Sequence, residues 1–442
     1  NAHRRRTAAH GPRTPPPRSA PVKGTMFSHS HRPTRTAALA GVAALGILLA
    51  GCSASPSDAP APDDAASASD DSGAGHAKIE GAVEAPEPPL HLVSIDAGGS
   101  VSLLDLLDGA ETELDPVRAP EAVTTDGRYA FVADDQGVDI VDSGAWTWDH
   151  VDHFHYYRAT PALPGSVAGS GVATVATGML STAGGTGVFF PESGEAVLLD
   201  NAALSQGEIR ETLRLEVAPH DGIIAPLGTG ALVSEAGAGG DVARLRAVDA
   251  EGSEVDAIAC ADASGTITTR LALVVGCADG AVLATSSEGA TELTQVPYPE
   301  GAAPAATEFS ARKGRPTVAG LGDGSGVWLL DTRERSWRWI AMPERPAAAT
   351  AVDDESEHLV TLTSDGRVHV FDGSGAEVAA TDPLVSDADH GGRASLTVDA
   401  QRAYVNDPAT GAVHEIDYAD GARVARTLEP GTAADFVVET GR

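Results

Sequence analysis

Most of the ligating chemistry of this sequence sits in ten residues, Trp148-Asp149-His150-Val151-Asp152-His153-Phe154-His155-Tyr156-Tyr157. Three imidazoles and two carboxylates fall between Asp149 and His155. That mixture of neutral nitrogen and anionic oxygen donors suits zinc. Side chains alternate along an extended strand, so Asp149, His153 and His155 would share one face while His150 and Asp152 took the other. A bend is needed to gather all five. The metal reading takes His150, His153 and His155 as nitrogen ligands with Asp149 or Asp152 as a carboxylate ligand. The competing reading is a polar loop at a sheet edge, with Trp148, Tyr156 and Tyr157 packed beneath it.

Other chemistry is sparse. Of fourteen His, five precede Cys52 or lie just after it, leaving nine for the rest of the chain. His220, in Ala218-Pro-His-Asp-Gly222, is the strongest additional metal candidate, placed where a strand lining a central channel would begin. His390 lies in a loop, and His369 and His414 alternate with apolar residues as structural His do. No Ser/His/Asp arrangement and no phosphate-binding loop is present, so no catalytic residue is assigned and the chain is not read as an enzyme.

The elements that must position these residues are strands. From Leu90 onward, short runs of Val, Ile, Leu and Tyr are broken by turn residues every 8 to 12 positions, the pattern of a large antiparallel all-β structure. Asp126-Gly127, Asp279-Gly280, Asp323-Gly324, Asp365-Gly366 and Asp372-Gly373 are the clearest hairpin turns. Gly137-Val-Asp-Ile-Val-Asp142, Arg367-Val-His-Val-Phe-Asp372 and Gly411-Ala-Val-His-Glu-Ile-Asp417 repeat one arrangement at a period of roughly 40 to 50 residues, that of propeller blades. Units starting near Pro120, Ser166, Ala218, Val255, Ala305, Ala347 and Ala394 give seven. The segment from Leu90 to Leu114 supplies about three further strands, and Ala434-Asp-Phe-Val-Val-Glu439 one more. The expectation is an eight-bladed β-propeller, its ring closed by pairing the N- and C-terminal strands, with seven blades as the alternative.

Cys260 and Cys277 stand seventeen residues apart in predicted strands of one blade, and the spacing predicts a structural disulfide between them. They lack the Cys-x-x-Cys spacing of a redox or metal pair.

The N-terminus supplies the address. Residues 1 to 25, ahead of Met26, are Pro- and Arg-rich without hydrophobic pattern and are read as mis-assigned upstream sequence. Residues 26 to 51 carry a basic stretch, then an apolar run from Ala37 to Ala50 too brief to span a bilayer comfortably, and read as a signal peptide. Leu49-Ala50-Gly51-Cys52 resembles the lipobox cut before a diacylated Cys, so Cys52 is the expected lipidation site. Residues 52 to 89 form the lipidated Cys and an Ala, Ser, Pro, Asp and Gly linker, too polar to order itself, and residues 90 to 442 form the propeller domain. The expected location is the extracytoplasmic face of the cell membrane, held by a lipid anchor.

Charge narrows the partners. The chain has 30 Lys and Arg against 63 Asp and Glu. Residues 1 to 51 hold 8 basic and no acidic side chains, which leaves 22 against 63, a net of −41. Repulsion from phosphate without any basic stripe excludes nucleic acid as a partner.

Several stretches together resemble the AztD-type zinc metallochaperones: Asp149-His-Val-Asp-His-Phe-His-Tyr-Tyr157, Ala218-Pro-His-Asp-Gly222, Val275-Gly-Cys-Ala-Asp-Gly280, and Arg402-Ala-Tyr-Val-Asn-Asp-Pro-Ala-Thr-Gly-Ala-Val-His-Glu-Ile-Asp417. The resemblance covers residues 90 to 442. It implies an extracytoplasmic β-propeller that passes zinc to the solute-binding protein of a zinc ABC importer; the chain itself is expected to be a monomer. The departures are specific. Where the family has His in Pro-Gly-His, Pro-His-His-Gly and His-Gly-Glu, this chain reads Pro164-Gly165-Ser166, Pro219-His220-Asp221-Gly222 and Ser264-Gly265-Thr266. Asp221 keeps a ligating atom, whereas Ser166 and Thr266 are poor zinc ligands. These losses leave two alternatives open: a degenerate propeller serving as a protein-interaction platform without metal, and, with less in its favour, a propeller enzyme.

Overall fold

The computed structural model describes residues 81–149, 153–301, 304–386 and 393–442. All belong to one compact unit, Ala68–Arg442. The expected signal peptide, the lipidation site Cys52 and most of the linker lie outside the described residues, as do His150, Asp152 and His390.

The all-β expectation holds. Eight four-stranded antiparallel sheets are present among the described residues, with a single one-turn helix, Asn201–Leu204. Each sheet is a meander in which Val, Ile and Leu alternate with small or polar residues, and the five Asp-Gly pairs all fall at strand turns. The second sheet runs Ala122–Thr125, Tyr129–Asp134, Gly137–Asp142 and Ala162–Ala168. The first is assembled from both ends of the fold: Phe436–Thr440 pairs antiparallel with His91–Ile95, which continues into Val101–Asp105 and Glu111–Leu114.

The core lies between sheets. Val93, Ile95 and Leu103 of the first sheet pack with Ala130, Val132 and Val141 of the second. Further clusters join the second sheet to the third, and so on to the eighth. A last cluster places Leu92, Leu104 and Val437 of the first sheet against Tyr404 and Val413 of the eighth. Asn406 reinforces that seam, donating to the carbonyls of Arg393 and Ala434 at 3.0 and 2.9 Å while its Oδ1 accepts from Ser395 N at 2.6 Å. A buried amide saturated in this way fixes the chain entering Phe436–Thr440.

Two expected unit starts are displaced by one strand. Ser166 lies in the outermost strand of the second sheet, and Val255 in Glu254–Ala259, the outermost strand of the fourth. Inner and outer strands share the same alternation, and an insertion of about twenty residues lengthens the second unit. That insertion is a ribbon: Ala145–Asp149 pairs with Phe154–Arg158, which pairs in turn with Val83–Ala85. The segment expected to be structureless up to residue 89 therefore contributes a strand, Val83–Ala85, just before Pro86.

The disulfide between Cys260 and Cys277 is present, but it does not sit inside one sheet. Cys260 follows the outermost strand of the fourth sheet, and Cys277 ends Leu273–Cys277, the second strand of the fifth. It bonds two neighbouring units, closing a short loop across their seam.

Candidate metal centre

The ribbon leaves the second sheet between its third and fourth strands, and its base is clamped. Arg128 donates to both Asp142 oxygens at 2.9 and 2.7 Å, and Asp142 Oδ1 also accepts from Gly144 N at 2.9 Å. Gly144 has φ +69°, and a Cβ there would stand 2.3 Å from the carbonyl oxygen of Ala159, so only glycine lets the two ribbon strands start this close. The Arg128 guanidinium lies 4.0 Å over the Trp146 ring, which stacks on Tyr157 at 5.2 Å. Of the aromatics that the loop reading expects to pack beneath it, Tyr157 is buried whereas Trp148 and Tyr156 are half-buried, and Trp146, which that reading did not name, is buried with Tyr157.

Farther along the ribbon the same face turns polar. Cross-strand partners share a face, and the pairs Trp146 with Tyr157, Trp148 with His155, and Glu84 with Tyr157 set Trp148, His155 and Glu84 on the side of the buried aromatics. His155 Nδ1 is 2.6 Å from Glu84 Oε1, and His155 Nε2 is 3.0 Å from His153 Nε2. In the neutral imidazole, Nδ1–H of His155 donating to the Glu84 carboxylate leaves the lone pair on Nε2, the atom that faces His153 Nε2. A tetrahedral zinc with Zn–N of about 2.0–2.1 Å holds two ligand nitrogens about 3.3 Å apart. Replacing the shared proton by an ion thus opens this pair by only a few tenths of an ångström.

Asp149 does not join them. It pairs with Phe154 on the opposite face of the ribbon, and its carboxylate forms an ion pair with Arg270 from the fifth sheet. Beneath the ribbon, Thr147 Oγ1 donates to the carbonyl of Gly441 at 2.7 Å, and Lys313 Nζ donates to the main-chain oxygen of Arg442 at 2.9 Å. Burial lowers the Lys313 ammonium to about 8.

His220 lies elsewhere. In each antiparallel sheet the first-to-second and third-to-fourth connections emerge at one end, and the second-to-third and between-sheet connections at the other. The ribbon occupies the former end and His220, between the third and fourth sheets, the latter. Its Nδ1 is 2.7 Å from the carbonyl of Ala218, its Nε2 is 2.8 Å from Ser234 Oγ, and its ring meets Phe189 edge-on at 4.8 Å. Only 7 % of it is exposed. Those are the contacts of a His that holds a loop in place. Nearby, Asp221 and Ser264 line a cavity of about 520 Å³ with Asp241, Asp262 and Asp323, while Ser166 stands on an outer strand paired with Asp139. Asp221 and Ser264, which stand in two of the three stretches singled out in the sequence, therefore line one cavity with those carboxylates. Among the described residues, no three His, Cys, Asp or Glu side chains converge on one point.

Glu84 is the site residue that sequence reasoning missed. It sits among Ala and Pro, and its one signal was the short run Val83-Glu84-Ala85 just before Pro86.

Comparison with known proteins bears on this geometry. No family model matches the chain. A zinc chaperone from Citrobacter koseri, AztD, is 25 % identical over 360 residues, which is 77 % of this chain and 84 % of that protein. This chain is similar to the zinc chaperone AztD. The crystal structure of Citrobacter koseri AztD superposes with a TM-score of 0.69 at 22 % identity, covering 81 % of this chain and 98 % of that one. The apo AztD structure from the same organism gives the same TM-score and coverage at 20 % identity. AztD and this chain thus share their fold over nearly the whole length of AztD.

Proposed function

We propose that this protein is a zinc metallochaperone that carries zinc outside the cytoplasm and delivers it to the solute-binding protein of a zinc ABC importer. The observation that carries the reading is the convergence of His153 and His155 through their Nε2 atoms on the ribbon; His150 and Asp152, which immediately precede them in sequence, lie outside the described residues. Similarity to AztD supplies the cargo class. Two imidazoles with one further donor from residues 150 to 152 make an open, exchangeable site, which is what a donor of zinc requires. No catalytic role is assigned. Cys52 anchors the protein by lipid to the extracytoplasmic face of the membrane, and the eight sheets are the blades of one propeller. Support for a closed ring comes from the pairing of Phe436–Thr440 with His91–Ile95 and from the cluster between the eighth and first sheets.

Zinc titration of residues 53–442 against a variant with Ala at 150, 153 and 155 tests the reading. Stoichiometric zinc retained after dialysis by the parent and none by the variant is expected. A parent that binds no zinc at micromolar metal would instead favour a metal-free interaction platform.

A further inference from the structure

We infer that Glu84 is a positioning residue for the zinc site, and that the tether strand Val83–Ala85 docks on the ribbon more tightly when zinc is bound. The inference rests on the metal reading above and adds to it a means by which the linker senses the load.

The argument begins with the hydrogen bond between His155 Nδ1 and Glu84 Oε1 at 2.6 Å. A metal-bound imidazole commonly donates its other ring N–H to a carboxylate, which fixes the tautomer, orients the ring and raises the basicity of the ligating nitrogen. Glu84 meets that description on His155, with Nε2 left pointing at His153. The His155 side chain is 13 % exposed and that of Glu84 50 %, so the carboxylate can leave while the imidazole stays seated in the ribbon.

Glu84 arrives on its own short strand. Val83, Glu84 and Ala85 pair with Arg158, Tyr157 and Tyr156. Three residues of edge pairing with an exposed Val83 hold weakly by themselves. Two features favour docking all the same. Only six residues separate Glu84 from His91–Ile95, three of them Pro, so the strand is delivered by a short stiff link and binds intramolecularly. The Glu84 carboxylate then adds a charge-assisted bond that strengthens when zinc draws electron density from the His155 ring. Linkage makes the effect reciprocal: whatever factor the docked strand adds to zinc affinity, zinc adds to strand docking. The strand Val83–Ala85 would therefore be held on the ribbon more tightly when the site is loaded and more loosely when it is empty.

The test uses residues 53–442 with Glu84→Ala, and Glu87→Ala as a neighbouring control. Zinc affinity by competition with a chelator should fall about 10- to 100-fold in the first and stay unchanged in the second. Hydrogen exchange of residues 82–86 in the parent should slow on adding zinc, and should not respond to zinc in His155→Ala. Equal affinity in the parent and Glu84→Ala, or exchange at 82–86 indifferent to zinc in a parent that binds it, would overturn the inference while leaving the zinc site intact. A parent that binds no zinc overturns both the site and the inference.

Discussion

His155 and His220 each have both ring nitrogens engaged, at opposite ends of the sheets, and their partners differ in kind. His220 is closed between a backbone carbonyl, a serine hydroxyl and the Phe189 ring, with 7 % of its surface in solvent. None of those partners gains from exchange for an ion, and a metal there would have to break a satisfied buried set. His155 is held by a carboxylate and by a second imidazole, groups that an ion can use or replace at little cost. On the proposed reading, equal saturation conceals opposite roles. The identity and burial of the partner decide whether a His is mortar or ligand, and counting free nitrogens does not.

The same contrast holds for the regions around them. The far end is built into the body, flanked by the Cys260–Cys277 bond between the fourth and fifth sheets. The ribbon is an addition to a complete four-stranded sheet, joined to the body through Arg128, Arg270 and the last residues of the chain. Changes in the body should therefore cost stability, and changes in the ribbon should cost zinc.

The largest effect is expected from deleting residues 433–442. That removes the strand Phe436–Thr440, with Val437 and Val438 at 6 % and 8 % exposure, and bares the edge of His91–Ile95. The loss is on the order of 5 kcal/mol or more, counting roughly 1.5–3 kcal/mol for each buried aliphatic, and should lower the melting temperature by roughly 10 °C. An unchanged melting curve would contradict a ring closed by its two termini. Next, His220→Ala should cost about 2–3 kcal/mol, since it empties a packed space and strips Ser234 Oγ of one partner, while zinc stoichiometry stays that of the parent. Loss of zinc with normal stability in that variant would invert the comparison. Smallest in stability is His155→Ala, at about 1 kcal/mol or less as measured by denaturant unfolding, although this change should remove zinc binding.

Much of the body was legible because its signals are local. Alternating Val and Ile ending in Asp gave the third strands Gly137–Asp142, Val368–Phe371 and Ala412–Asp417, and each Asp-Gly pair marked a turn. The order of strands within a unit was less legible, since Ser166 and Val255 sit in runs that alternate just as inner strands do. The pairing of Cys260 with Cys277 followed from spacing, but its placement across two sheets did not, because spacing carries no information on which strand ends a unit. His153 and His155 stood out by density alone. The failure of Asp149 to join them depends on the register that pairs it with Phe154 and on Arg270, 121 residues away, neither of which a linear pattern displays. Glu84 was hidden for the complementary reason: a residue in a linker composition gains its role only from the strand it meets.

Where the zinc sits decides between the two ends, and anomalous diffraction at the zinc edge from crystals of residues 53–442 grown with one equivalent of zinc measures it directly. The account predicts one dominant peak within about 2.0–2.1 Å of both His153 Nε2 and His155 Nε2, with Glu84 still on His155 Nδ1. A dominant peak at His220 or in the cavity lined by Asp221 and Asp262, with the ribbon empty, would contradict it.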